Sequence, residues 1–172
     1  RLPDTTCLSM GFSISVEMEN KPAESTVSRE ESVTAYVIPD GIQLIYNIPG
    51  NKCLLTFDDG PSVYTEQIVD ILNNYRVKGV FFFIGVHMSG FESAIRYVYD
   101  NGSVIGNHTY SHREMSVKSI EDQKREVVRT NQIIEAITGE GIKYFRPPYG
   151  NMNERLKSIL SGLGMKTILW NR

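Results

Sequence analysis

The chain has 172 residues, 41% hydrophobic and 22% charged, with a formal net charge of −2. That is the composition of one globular domain with a real core. A pI near 6.0 leaves no electrostatic footprint for nucleic acid or an anionic membrane surface, and no apolar run is long enough to span a bilayer. Cys7 and Cys53 allow one internal disulfide at most; they lack metal-type spacing, so Cys53 reads as a core residue.

Residues 1–51 form a lead-in. The polar run "NKPAESTVSREES" at 20–32 reads as a linker. In "TAYVIPDGIQLIYNIPG" at 34–50, Pro-Asp-Gly between two β-rich runs signals a hairpin. From Lys52 onward strand and helix patterns alternate. Strands are predicted at 53–57, 79–85, 103–106, 142–145 and 166–170. Helices are predicted at 63–76, 91–100, about 117–138 and 153–161. The first helix shows Tyr64, Ile68, Ile71, Leu72 and Tyr75 on one face. The longest carries the stripe Ile120, Val127, Ile134 and Ile137, with 121–129 as a charged, solvated face. Buried strands alternating with helices imply a parallel sheet built from βα units.

In such folds the site lies at the carboxyl ends of the strands. Asp58-Asp59 follows the first strand, "NHTYSH" with His108 and His112 the third, and "RPPYG" with Arg146 and Tyr149 the fourth. "TFDDGP" alone is an ordinary turn, since Asp-Gly and Gly-Pro are turn dipeptides. Two adjacent carboxylates still need compensation. The four-residue spacing of His108 and His112 would put both rings on one face of a helical turn, within reach of one zinc ion. Two imidazoles and one carboxylate around an open position make a catalytic metal site. The ion would neutralise one aspartate while Arg146 pairs with the other.

"TFDDGPS", "HTYSH" and "RPPYG", in this order, resemble the first three motifs of the polysaccharide deacetylases, the NodB-homology carbohydrate esterases of family 4. The resemblance spans about 52–172. It implies an α/β fold, a distorted (β/α) barrel, and removal of N-acetyl groups from N-acetylglucosamine polymers such as peptidoglycan or chitin. In some members the substrate is O-acetylated xylan. It implies Asp58 as general base, Asp59, His108 and His112 as metal ligands, Arg146 as the residue orienting the base, and the Tyr149 backbone N–H at the oxyanion. The implied cofactor is zinc, with cobalt or another divalent ion as alternatives. The implied partner is a polysaccharide, and the implied location is the cell surface or outside.

Two further family motifs, an Asp-Trp stretch lining the acetyl pocket and a Leu-x-x-His carrying the acid, do not occur in the 172 residues. Trp170 resembles the approach to the former and is a candidate substrate contact, beside Tyr149. His87, the remaining histidine, reads as structural. Five predicted strands fall short of a closed barrel of about eight, so the expectation is a C-terminally incomplete domain with an exposed edge at 166–170, closed by a companion C-terminal fragment. Two competing readings are a non-catalytic glycan-binding relative and a non-haem iron enzyme, since two histidines and a carboxylate also suit Fe(II).

Overall fold

The computed structural model describes residues 44–45 and 54–170. The 20–32 linker, the Pro39-Asp40-Gly41 turn, Cys7 and Cys53 lie outside the described residues. Among the described residues, six strands form one all-parallel sheet: β1 (Leu44–Ile45), β2 (Leu55–Gly60), β3 (Gly79–Phe83), β4 (Val104–Asn107), β5 (Tyr144–Phe145) and β6 (Lys166–Ile168). The spatial order is β1-β6-β5-β4-β3-β2. From β2 to β6 each strand therefore lies beside its successor, the winding of a barrel wall and not of a doubly wound sheet. The edge expected at 166–170 is not exposed along β6: Leu44 and Ile45 pair with Thr167 and Ile168. Those two residues come from the run read as the second arm of a hairpin, whose first arm lies outside the described residues; here they give β6 a parallel neighbour.

The connections are α1 (Thr65–Asn74), α2 (Glu92–Asp100), α3 (Ile120–Thr138) and α4 (Glu154–Gly162). α1 buries Thr65, Val69 and Leu72, while Tyr64, Ile71 and Tyr75 are exposed. The expected face was thus rotated. Of its members only Leu72 is fully buried, and the i, i+4, i+7 row from Thr65 meets the sheet. α3 begins at Ile120, three residues later than predicted, because the Ser119 hydroxyl accepts the Asp122 N–H as an N-cap. It ends at Gly139 in the left-handed region. Its inward row is Gln123, Val127, Thr130, Ile134 and Thr138, and Ile120 stays outside. Thr130 and Thr138 donate to the carbonyls of Glu126 and Ile134; Gln123 donates through Nε2 to that of Met115, while its buried Oε1 has no protein partner.

β3 is buried along its whole length, as expected of a strand covered on both faces. Phe81 and Phe83 face the helices, packing with Val69, Leu72, Ile95, Val98 and Ile134. Val80 and Phe82 face the other way, toward Ile168. A second cluster under α3 and α4 joins Val127, Phe145, Leu156 and Leu160. On β4, Gly106 lies against the Phe82 ring, where a Cβ would sit 2.4 Å from two ring carbons. Gly106→Ala must displace a fully buried aromatic, so denaturant unfolding should show a loss of about 1–3 kcal/mol. A change within about 0.5 kcal/mol, the range of a neutral surface substitution, would contradict that packing.

Candidate metal centre and active site

The adjacent aspartates sit within β2, not in a turn after it. Phe57 pairs with Phe81 and Gly60 with Phe83, so three steps on β2 oppose two on β3. This bulge puts Asp59 at φ 67°, and bulges re-aim side chains. It gives the two carboxylates separate partners. Asp58 accepts a 2.7 Å hydrogen bond from Arg146 Nη1. Asp59 Oδ1 lies 3.4 Å from His108 Nε2 and 3.2 Å from His112 Nε2.

Arg146 follows β5 and is 2% exposed. Its Nε donates to the Ile168 carbonyl at 3.0 Å and its Nη1 to the Thr56 hydroxyl at 2.8 Å. The guanidinium lies 4.3 Å from the Phe82 ring centroid and 5.4 Å from that of Trp170. Burial pulls its pKa below the ordinary value, opposed by Asp58. A guanidinium nonetheless stays charged in proteins, so Asp58 is the counter-ion that makes this burial tolerable.

His108 and His112 are brought together by an irregular turn, not the helical turn their spacing suggested. Thr109 and His112 have φ of 68° and 53°, which no right-handed helix contains. The turn is held by side chains: the Asn107 carboxamide oxygen accepts the Thr109 N–H at 2.7 Å, and the Thr109 hydroxyl accepts the His112 N–H at 3.1 Å. His108 is 3% exposed, and its Nδ1 lies 2.7 Å from the Arg146 carbonyl. A carbonyl only accepts, so Nδ1 carries the proton and Nε2 presents its lone pair toward Asp59.

Asp59, His108 and His112 offer ligand atoms that all lie within 4.8 Å of one another. The donor set fits a divalent ion. One carboxylate and two imidazole Nε2 atoms converge, and the His108 tautomer is already fixed for ligation. The Asp59 pKa is lowered, chiefly by its contact with His108. That of His112 is lowered by burial and by the neighbouring His108. Both shifts favour the ligating forms, carboxylate and neutral imidazole.

Tyr149 stands at φ 61° and is 62% exposed, with its ring edge-on to His112 at 5.2 Å. Trp170 is 45% exposed and lies against Gly150, where a Cβ would come within 3.3 Å of it. Tyr149 thus lies beside His112, and Trp170 beside Arg146. His87 Nδ1 lies 3.2 Å from the Asp59 carbonyl, which places the third histidine at the rim of the cluster. One residue passed unnoticed in the sequence: Glu126 of α3, within the stretch read as solvated, accepts from the backbone N–H groups of Tyr110 and Ser111. No periodicity signal marks a single charged residue that turns inward.

A family model described as polysaccharide deacetylase matches residues 46–168. The chain is 37% identical over 126 residues to a peptidoglycan-N-acetylglucosamine deacetylase of Bacillus cereus, covering 72% of this chain and 46% of that protein. It is 36% identical over 118 residues to a chitin deacetylase of Amylomyces rouxii, covering 68% of this chain and 28% of that protein. The chain thus spans less than half the length of these relatives. Among solved structures, a peptidoglycan N-acetylglucosamine deacetylase in complex with 4-naphthalen-1-yl-N-oxidanyl-benzamide superposes with a TM-score of 0.70 at 30% identity, covering 74% of this chain and 61% of that one. A family 4 carbohydrate esterase pseudoenzyme of Bacillus anthracis superposes with a TM-score of 0.68 at 29% identity, covering 74% of this chain and 46% of that one. With the Asp-His-His cluster at the strand ends and a family match over most of its length, the chain belongs to the polysaccharide deacetylases.

Proposed function

We propose that this protein is a zinc-dependent deacetylase that removes N-acetyl groups from N-acetylglucosamine-containing polysaccharide, with peptidoglycan or chitin-type glycan as substrate. The observation that carries this reading is the division of labour between two adjacent carboxylates. Asp59 faces the two imidazoles, and Asp58 faces a buried arginine. A site built only to hold a sugar has no need for a charged base beside a complete ligand set.

Asp59, His108 and His112 would hold the ion. When bound, it would supply a Lewis acid that polarises the acetamide carbonyl and makes water more acidic. Asp58 is the general base: it takes a proton from the attacking water as the oxygen adds to the acetyl carbon. Arg146 fixes the direction of Asp58, since the guanidinium that bonds it is itself held by the Ile168 carbonyl and the Thr56 hydroxyl. The Tyr149 backbone N–H is assigned to the oxyanion of the tetrahedral adduct. Pro147 and Pro148 precede it and restrict the loop that sets its position. Collapse of the adduct breaks the carbon–nitrogen bond and releases acetate and a free amine. The proton for that amine is assigned to a histidine supplied by a companion segment, in keeping with the family resemblance. Trp170 and Tyr149 are assigned to the sugar.

No helix among the described residues is long and apolar enough to cross a membrane. The proposed substrates are wall polymers, and the reading therefore places the protein at the cell surface or outside it. The pseudoenzyme among the solved neighbours means that likeness of fold does not by itself establish turnover. The direct test is acetate release from N-acetylglucosamine oligomers by the full protein, before and after chelation and zinc restoration, with acetylated xylan in parallel. Release that stops with chelator and returns with zinc supports the reading. Release from xylan alone would move the substrate to O-acetyl esters, and no release from either would favour a glycan-binding role.

Substitutions at the histidines and at Asp58 separate the roles. His108→Ala or His112→Ala should abolish stoichiometric zinc retention in equilibrium dialysis, because the remaining pair of ligands holds zinc poorly. Asp58→Asn should keep the zinc while turnover falls on the order of 10²–10⁴-fold, the contribution of a general base. Loss of zinc from Asp58→Asn would mean that the two aspartates have exchanged roles.

A further inference from the structure

We propose that Glu126 is a positioning residue for the metal centre, acting on His112 through the turn that carries it. This rests on the metal-site reading above and extends it to a residue of α3 outside the three motifs. Lys124, Arg125 and Arg129 of the same charged stretch are exposed, whereas the Glu126 side chain is only 12% exposed. Both of its oxygens are engaged. Oε2 accepts the backbone N–H of Tyr110 at 3.0 Å and of Ser111 at 2.8 Å. Oε1 accepts the Ser111 hydroxyl at 2.7 Å and pairs with Lys118 Nζ at 3.1 Å.

Two consecutive backbone N–H groups can point at one oxygen only where the chain curls into a concavity. Here the curl lies between Thr109 and His112, both at positive φ. Such conformations are strained for residues other than glycine and persist only when their surroundings over-determine them. Burial pushes the Glu126 pKa up, but the hydrogen bonds from Ser111 and the Lys118 ammonium outweigh it and hold the group below its ordinary value. The carboxylate therefore serves the turn as an anion, with charge-assisted bonds.

The effect falls on His112 more than on His108. The His108 ring is locked directly by the Arg146 carbonyl. The His112 backbone is set by the turn, through the Thr109 hydroxyl on its own N–H and through Glu126 on the two residues before it. Glutamine removes the charge that strengthens the bonds from the Tyr110 and Ser111 N–H groups, and with its amide oxygen turned to those groups its –NH₂ would face the Lys118 ammonium.

The test compares the full protein with Glu126→Gln, Glu126→Asp and Lys118→Met. Zinc affinity is read by competition with a chelator of known affinity, the Co²⁺ absorption spectrum reports ligand geometry, and amide hydrogen exchange is followed at Tyr110 and Ser111. Glu126→Gln should weaken zinc about 10–100-fold, as lost support of a metal ligand does. It should also alter the Co²⁺ spectrum and speed exchange at both amides. Glu126→Asp, which keeps the charge but loses reach, should fall between it and the wild type. Lys118→Met leaves the backbone bonds in place and should hold zinc within about twofold of wild type. Unchanged zinc affinity in Glu126→Gln would overturn the proposal. So would an equal loss in Lys118→Met, which would mark a general stability effect. If Glu126→Gln does not fold, Glu126→Asp is judged by the same criteria. If the wild type takes up no zinc, the metal reading falls and the positioning claim is decided by amide exchange alone: faster exchange in the variants upholds it and unchanged exchange overturns it.

Discussion

The centre of this structure depends on one buried cation. Arg146 is a permanently charged group taken almost wholly out of water, and it must be compensated on every side. Its side chain bonds the Asp58 carboxylate, the Thr56 hydroxyl and the Ile168 carbonyl. Its own carbonyl receives the His108 ring N–H. One residue thus connects β2, the turn after β4, the end of β5 and the end of β6. The aromatic faces of Phe82 and Trp170 close the remaining sides. Asp58 and His108 are therefore not independent placements, because both hang on the same residue. Replacing Arg146 would unseat both.

The second constraint is the bulge in β2. In a regular strand, neighbouring side chains point to opposite faces of the sheet. The register slip between Phe57 and Gly60 lets both aspartates serve one rim while giving them different partners. The barrel-like winding then sets which motifs can meet. Asp58 and Asp59 from β2 face residues delivered after β4 and β5, two and three strands away in the sheet.

Much of this was legible before any coordinates. Strand and helix order from 53 to 168 follows from apolar runs and caps, and the three motifs mark the site because each ends a strand. The unread parts share a physical cause: they depend on partners distant in sequence. The His108–His112 spacing suggested a helical turn, but Asn107, Thr109 and Glu126 hold an irregular one with Thr109 and His112 at positive φ. The α1 stripe was offset because apolar Ile71 and Tyr75 are exposed while Thr65 is buried against the sheet. Glu126 shares its charge with exposed neighbours, and only the fold shows that it faces inward. The pairing of β1 with β6 spans more than 120 residues of sequence, beyond the reach of any local pattern.

The central claim is that adjacent aspartates have separate duties, one on the ion and one on the arginine. The most direct measurement is a crystal structure of the zinc-soaked protein with anomalous data at the zinc edge. The account predicts one peak about 2.0–2.2 Å from Asp59, His108 Nε2 and His112 Nε2, with Asp58 still bonded to Arg146 and outside coordination distance. A peak ligated by Asp58, or one that leaves His112 uncoordinated, would contradict it.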